Sequence, residues 1–165
     1  MNLKEKIASD LKEAQKEKKE LEISVLRQLL AAILNKEKEK RAKLAKEKEL
    51  TEKEELEKES QLIDEEIIGV VFSESKKRKE AISEFEKGKR LDLVEKEKGE
   101  AEILKKYLPE QISEEEIKKF AKEAVEKVGA SSLKDMGRVM AELMPKVKGR
   151  AEGALVTKIV KELLS

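Results

Sequence analysis

Asp135-Met-Gly-Arg-Val-Met-Ala-Glu-Leu-Met-Pro-Lys-Val-Lys-Gly-Arg-Ala-Glu-Gly153 is the least repetitive text in a chain written mostly in Lys, Glu and Leu. Val139, Met140, Leu143 and Met144 share one side of a helix by their spacing. Pro145 is expected to stop that helix, because proline lacks the N–H and disfavours helical angles in the residue before it. Lys146, Lys148 and Arg150 then alternate around Gly149, with no acid until Glu152. Leu155, Val156, Ile159, Val160, Leu163 and Leu164 follow at helical spacing. The text therefore predicts two short helices joined by a basic, glycine-containing turn. Such a turn, next to the free N–H groups of a helix start, suits a phosphate. It also reads as a turn glycine among solvated cations.

Composition sets the wider frame. The 165 residues are 45 % charged and 2 % aromatic, with seven glycines and two prolines. That is the profile of a protein of long helices with an aliphatic core. Net charge is +1, so mean charge does not make the chain a general nucleic-acid binder. Ala130–Ser165 nevertheless holds seven cations against four acids. With no cysteine and no histidine, thiolate and imidazole nucleophiles, disulfides and the common zinc sites are excluded. No leader is visible in Met-Asn-Leu-Lys-Glu-Lys and no apolar run reaches membrane-spanning length, so a cytoplasmic protein with no membrane contact is expected. Abundant Lys and Glu with few Asn and Gln suit a thermophile.

Along the chain, Asn2 with Glu5 forms a capping box ahead of a stripe of Leu3, Ile7, Leu11 and Ala14. Gln15–Glu20 reads as a joint. Leu21, Val25, Leu29 and Ile33, flanked by Leu26 and Leu30, predict a central helix, with Arg27 snorkelling out of it. Lys and Glu dominate residues 36–60; Asn35–Glu49 reads as a solvated helix held by ion pairs or as partly disordered text, and a long Lys/Glu-rich helical hairpin is expected here. Thr51 with Glu54 is a second capping box. Residues 52–87 form one helix or, preferably, two split between Ser60 and Asp64. The run Lys76-Lys-Arg-Lys79 reads as a solvated face. Gly88 is expected to be a left-handed cap and Asp92 the start of the next helix. Tyr107-Leu-Pro-Glu-Gln-Ile112 reads as a linker, and Ser113 with Glu116 caps again. Gly129 closes that helix, Ser131 or Ser132 caps the next, and Met136, Met140 and Met144 fill the core. The expected fold is all-α, with an N-terminal multi-helix domain over 1–110 and a three-helix bundle over 111–165.

The segment 135–153, with Tyr107-Leu-Pro-Glu-Gln-Ile112, resembles the YqeY-like family (the GatB/YqeY domain). The tail Val147–Leu164 is similar, more weakly, to the end of the GatB subunit of the glutamyl/aspartyl-tRNA amidotransferase. The resemblance implies binding of tRNA or another structured RNA and, at the level of the family, the activity of a carbon–nitrogen ligase using glutamine as amide donor. The catalytic and nucleotide-binding body of the GatB subunit has no counterpart here, and no phosphate-loop or Ser-x-x-Lys motif is present. A protein without catalysis of its own and without a cofactor is therefore expected. By the resemblance, Lys148 and Arg150 would contact phosphate, Gly149 would allow close backbone approach, and Lys146 and Lys158 would flank them. An amidotransferase or another tRNA-processing protein is a candidate partner. The alternative is an adaptor or scaffold that binds a protein through the N-terminal helices.

Overall fold

The computed structural model describes residues 1–47 and 52–165. Among these there are eight α-helices, one short 3-10 turn and no strand, so the all-α expectation holds. The described chain forms two compact units, Met1–Tyr107 and Leu108–Ser165.

In the first unit, α1 (Leu3–Glu17) opens on the predicted Asn2/Glu5 box and ends at Lys18, which adopts left-handed angles (φ 56°). The joint is short, and α2 starts at Glu20 and runs for 28 residues to Glu47. Its two halves are stabilised differently. Val25, Leu26, Leu29 and Ile33 are buried against α1 and against α4 (Asp64–Lys87) and α5 (Leu91–Lys105). Each such side chain contributes about 1.5–3 kcal/mol by leaving water. Beyond Glu37 no described residue of α2 is buried. That half depends on helix propensity and on ion pairs such as Lys36–Glu39 and Lys43–Glu47. Arg27 is exposed, as expected.

Residues 52–87 form two helices, α3 (Lys53–Glu59) and α4, separated near Ser60–Ile63. The Thr51 capping box falls outside the described residues. The cationic run 76–79 lies along α4, where Lys77 and Arg78 both meet Glu74 and Lys76 meets Glu80.

Buried Glu37 ties these elements together. Lys4 on α1 reaches both of its oxygens at 2.7 Å, and the backbone N–H of Leu62 donates to Oε1 at 3.3 Å. Nearby, the Leu3 N–H donates to Asp64 Oδ1 at 2.8 Å, and Lys40 pairs with Glu66 at 2.8 Å.

Two expectations fail here for local reasons. Gly88 has φ −78°, and the left-handed residue is Lys89 at φ 55°. The helix after it begins two residues early, at Leu91 with Arg90 in the cap position, so Asp92 lies inside the first turn and pairs with Arg90 instead of capping. The text at 107 is also more than a linker. Tyr107 is buried, and its hydroxyl donates to Asp10 Oδ2 at 2.7 Å, fixing the end of α5 to α1.

The second unit packs α6 (Glu114–Val128), α7 (Met136–Val147) and α8 (Gly153–Leu164) around Ile117, Ala121, Ala124, Val139, Leu143, Val147, Val156, Ile159 and Val160. Met136, Met140 and Met144 pack on this core, as expected. The Ser113/Glu116 box and left-handed Gly129 bound α6. Ser132 precedes the 3-10 turn Leu133–Asp135 that leads into α7. Pro145 does not stop α7, which continues to Val147. The proline removes one N–H near the helix end, while Val147, 1 % exposed, gains its place in the core and holds the last turn.

Replacing Glu37 by Ala strands the Leu62 N–H and frees Lys4. It should lower stability by about 2 kcal/mol, read from urea unfolding at neutral pH. Burial pushes the Asp10 carboxyl up, but hydrogen bonds from Lys6 and Tyr107 more than reverse this and hold it below its ordinary value of 3.8. A depressed carboxylate stabilises the fold above its unfolded pKa, and that contribution is lost as pH falls through the folded value. Tyr107→Phe should therefore cost about 1 kcal/mol at pH 7 and shrink the loss of stability on acidification below about pH 4, measured by urea midpoints across pH.

Candidate nucleic-acid interface

The turn between α7 and α8 is built from backbone bonds. Val147 O accepts the N–H of Arg150 at 2.9 Å and that of Ala151 at 3.0 Å, and Met144 O accepts the N–H of Lys148 at 2.9 Å. Lys148 is extended (φ −60°, ψ 126°), and Gly149 reverses the chain at φ 73°. Only glycine takes that angle without a Cβ penalty. Gly149 is buried, so its backbone faces the protein. Its carbonyl accepts the Gln111 Nε2 donor at 2.8 Å.

A strap ahead of α6 closes over this turn. The Ile112 N–H donates to Arg150 O at 3.0 Å, running between two segments far apart in sequence. Arg150 Nε donates to Glu110 O at 3.0 Å, and Nη1 donates to Lys146 O at 3.2 Å. Gln111 Nε2 also donates to Pro109 O at 2.9 Å. The guanidinium thus satisfies a carbonyl in the last turn of α7, an end that favours cations. Arg150 also lies within the field of Glu116, whose carboxyl is held below the usual range chiefly by hydrogen bonds from Ser113.

The five residues singled out in the sequence occupy different surroundings. Lys148 is exposed at the turn. Lys146 is half-buried, 3.6 Å from Glu123 and 5.7 Å from the Phe120 ring centroid. Gly149 is buried, and Arg150 is half-buried with its guanidinium on backbone carbonyls. Lys158 is exposed on α8, 3.9 Å from Glu162 and in the field of Glu114. The structure therefore brings Lys146, Lys148, Gly149 and Arg150 to one turn and leaves Lys158 in an ion network on α8. Pattern reading missed Glu110, Gln111 and Ile112 as partners of the turn. Their bonds span 38 to 40 residues, and nothing in local periodicity marks them.

Among the described residues, no acidic group is arranged to hold a metal ion, and no helix is long and apolar enough to cross a membrane.

The Yqey-like protein family model matches residues 48–164. A protein of Pyrenophora tritici-repentis, named altered inheritance of mitochondria protein 41, mitochondrial, is 28 % identical over 162 residues, covering 96 % of this chain and 79 % of its own length. The Saccharomyces cerevisiae protein of the same name is 36 % identical over 102 residues, covering 62 % of this chain and 46 % of its own length. An uncharacterised Schizosaccharomyces pombe protein is 44 % identical over 50 residues, covering 30 % of this chain and 41 % of its own. The chain thus spans under half the length of the two yeast relatives. The mitochondrial names overturn the expectation of a cytoplasmic protein. That expectation rested on composition and on the first residues, whereas an organelle address is read by receptors and leaves no mark on the packed body.

Gly149→Ala forces a Cβ onto the left-handed angle inside the turn. It should destabilise the protein by about 1–2 kcal/mol, measured by urea unfolding.

Proposed function

This chain belongs to the YqeY-like family, and from that premise we propose that its C-terminal unit binds tRNA or a similarly structured RNA, with no chemistry of its own. The observation that carries this reading is the turn itself. The text similar to the tail of the amidotransferase GatB subunit, Lys148-Gly-Arg-Ala151, forms a hydrogen-bonded turn on which Lys148 is an exposed residue. Duplex RNA offers phosphates and 2′-hydroxyls to a surface that reads shape, and such a surface needs cations more than exposed aromatic rings. Lys148 is the leading phosphate contact, Lys146 adds flanking charge beside Glu123, and Lys158 is a peripheral contact on α8. The mitochondrial names of the relatives make mitochondrial tRNA the first RNA to try.

A second reading, an adaptor for a protein partner, is favoured by one feature of the N-terminal unit. The distal half of α2 and the facing side of α4 leave an open groove with Ala32, Leu44 and Val70 on its floor. Its lysines Lys36, Lys40 and Lys77 are each engaged by a glutamate, so the groove presents paired charge and not a cationic field.

Binding of total tRNA, followed by fluorescence anisotropy over a salt series, separates the two. Lys148→Glu should weaken binding about tenfold and flatten the salt slope by about one unit, the weight of one phosphate contact. A wild-type chain that does not bind at low salt sinks the RNA reading and turns the search to proteins that dock on the N-terminal unit.

A further inference from the structure

We propose that Arg150 and Gln111 are positioning residues: they clasp the turn to the strap ahead of α6 and so set the display of Lys148, and Arg150 is not itself a phosphate ligand. The last step, from clasp to RNA, rests on the RNA reading; the clasp does not.

The geometry assigns Arg150 inward. Two sides of its guanidinium hold two carbonyls from different segments, Glu110 O at 3.0 Å and Lys146 O at 3.2 Å. Its own carbonyl holds the Ile112 N–H at 3.0 Å. The planar fork of arginine suits a span between two acceptors, whereas a lysine brings one nitrogen and a flexible stem. Gln111 extends the same clasp without charge, joining Gly149 O at 2.8 Å and Pro109 O at 2.9 Å. Strap and turn are therefore stitched by bonds of three kinds: guanidinium to carbonyl, amide side chain to carbonyl, and backbone to backbone. Lys148 is an exposed residue set between the anchored end of α7 and left-handed Gly149, so its backbone has little freedom. A cation on a fixed backbone loses less entropy on meeting a phosphate than one on a loose loop.

Charge and position are separable because Gln111 is neutral. The test uses the full chain, with total tRNA as the probe, and compares Gln111→Ala and Arg150→Lys with wild type, adding the salt slope of Arg150→Gln to read the charge. Hydrogen exchange of the Ile112 and Arg150 amides is followed by NMR in the absence of RNA. Both variants should exchange these amides faster. Both should bind tRNA about fivefold more weakly, the weight of about one hydrogen bond, with an unchanged salt slope. Unchanged exchange in both variants overturns the clasp. Faster exchange with wild-type affinity overturns its role in display. Wild-type affinity for Arg150→Lys, or a slope flattened by about one unit in Arg150→Gln, makes Arg150 a direct phosphate contact and overturns the assignment. If wild type itself binds no tRNA, the RNA reading fails alone, and the exchange of the free protein still decides the clasp.

Discussion

Glu37 sits where the packed half of α2 gives way to the solvated half, and the N-terminal unit is arranged around satisfying it. A carboxylate that is 5 % exposed costs several kcal/mol to desolvate unless it is paired and hydrogen-bonded. Here Lys4 supplies the charge and Leu62 supplies an N–H. Meeting that demand fixes the first turn of α1 and the entry to α4 against the same point of α2. The aliphatic core then closes on one side of this point, with Ile7, Leu29, Ile33, Ile67 and Val71 almost fully buried. A core with so few aromatic rings gains its stability from many branched side chains, each of modest area, so the register of the helices has to be set by something directional. The half-buried pair of Lys4 with Glu37, together with the Leu62 N–H, provides that direction.

The same logic separates two kinds of charge in a chain that is 45 % charged. Pairs such as Lys36–Glu39, Lys87–Glu84 and Lys118–Glu114 are exposed pairs within one helix and contribute little. Arg78 is different. It is half-buried and faces Glu97 at 3.2 Å and buried Glu100 at 3.0 Å, both on α5, with Gln28 of α2 at 3.3 Å. It crosslinks three helices at the place where α4 and α5 meet α2. A run of four cations in the sequence thus holds one residue that organises the core, and only the pitch of α4 separates it from its neighbours.

That contrast marks what the sequence made legible. Helix ends with local signals were readable: the Asn2/Glu5 and Ser113/Glu116 boxes, Gly129, and the split between α3 and α4 all follow from residues three or four apart. Stripes of aliphatic residues identified the buried faces for the same reason. Failures occurred where a local signal met a tertiary one. Pro145 is a sound stop signal, but the burial of Val147 outweighs one absent N–H at the end of a helix. Tyr107 lies in linker-like text, yet its partner is Asp10, 97 residues away. Of the candidate site, the turn and its cations were legible. The hydrogen bonds of Arg150 at the turn were not, because its acceptors are backbone carbonyls, which every residue carries and no motif can mark.

Arg150 spends its guanidinium on two backbone carbonyls, those of Glu110 and Lys146. A short basic motif is naturally taken as three contacts to phosphate. In this fold the glycine supplies a left-handed angle and the arginine two carbonyl bonds, both internal duties that the turn requires whatever it binds. Lys148 is the exposed cation of this turn. The charges around the turn are set by other parts of the chain. Here those charges include Glu123 beside Lys146 and Glu116 near Arg150. These acids lower the local positive field at the turn.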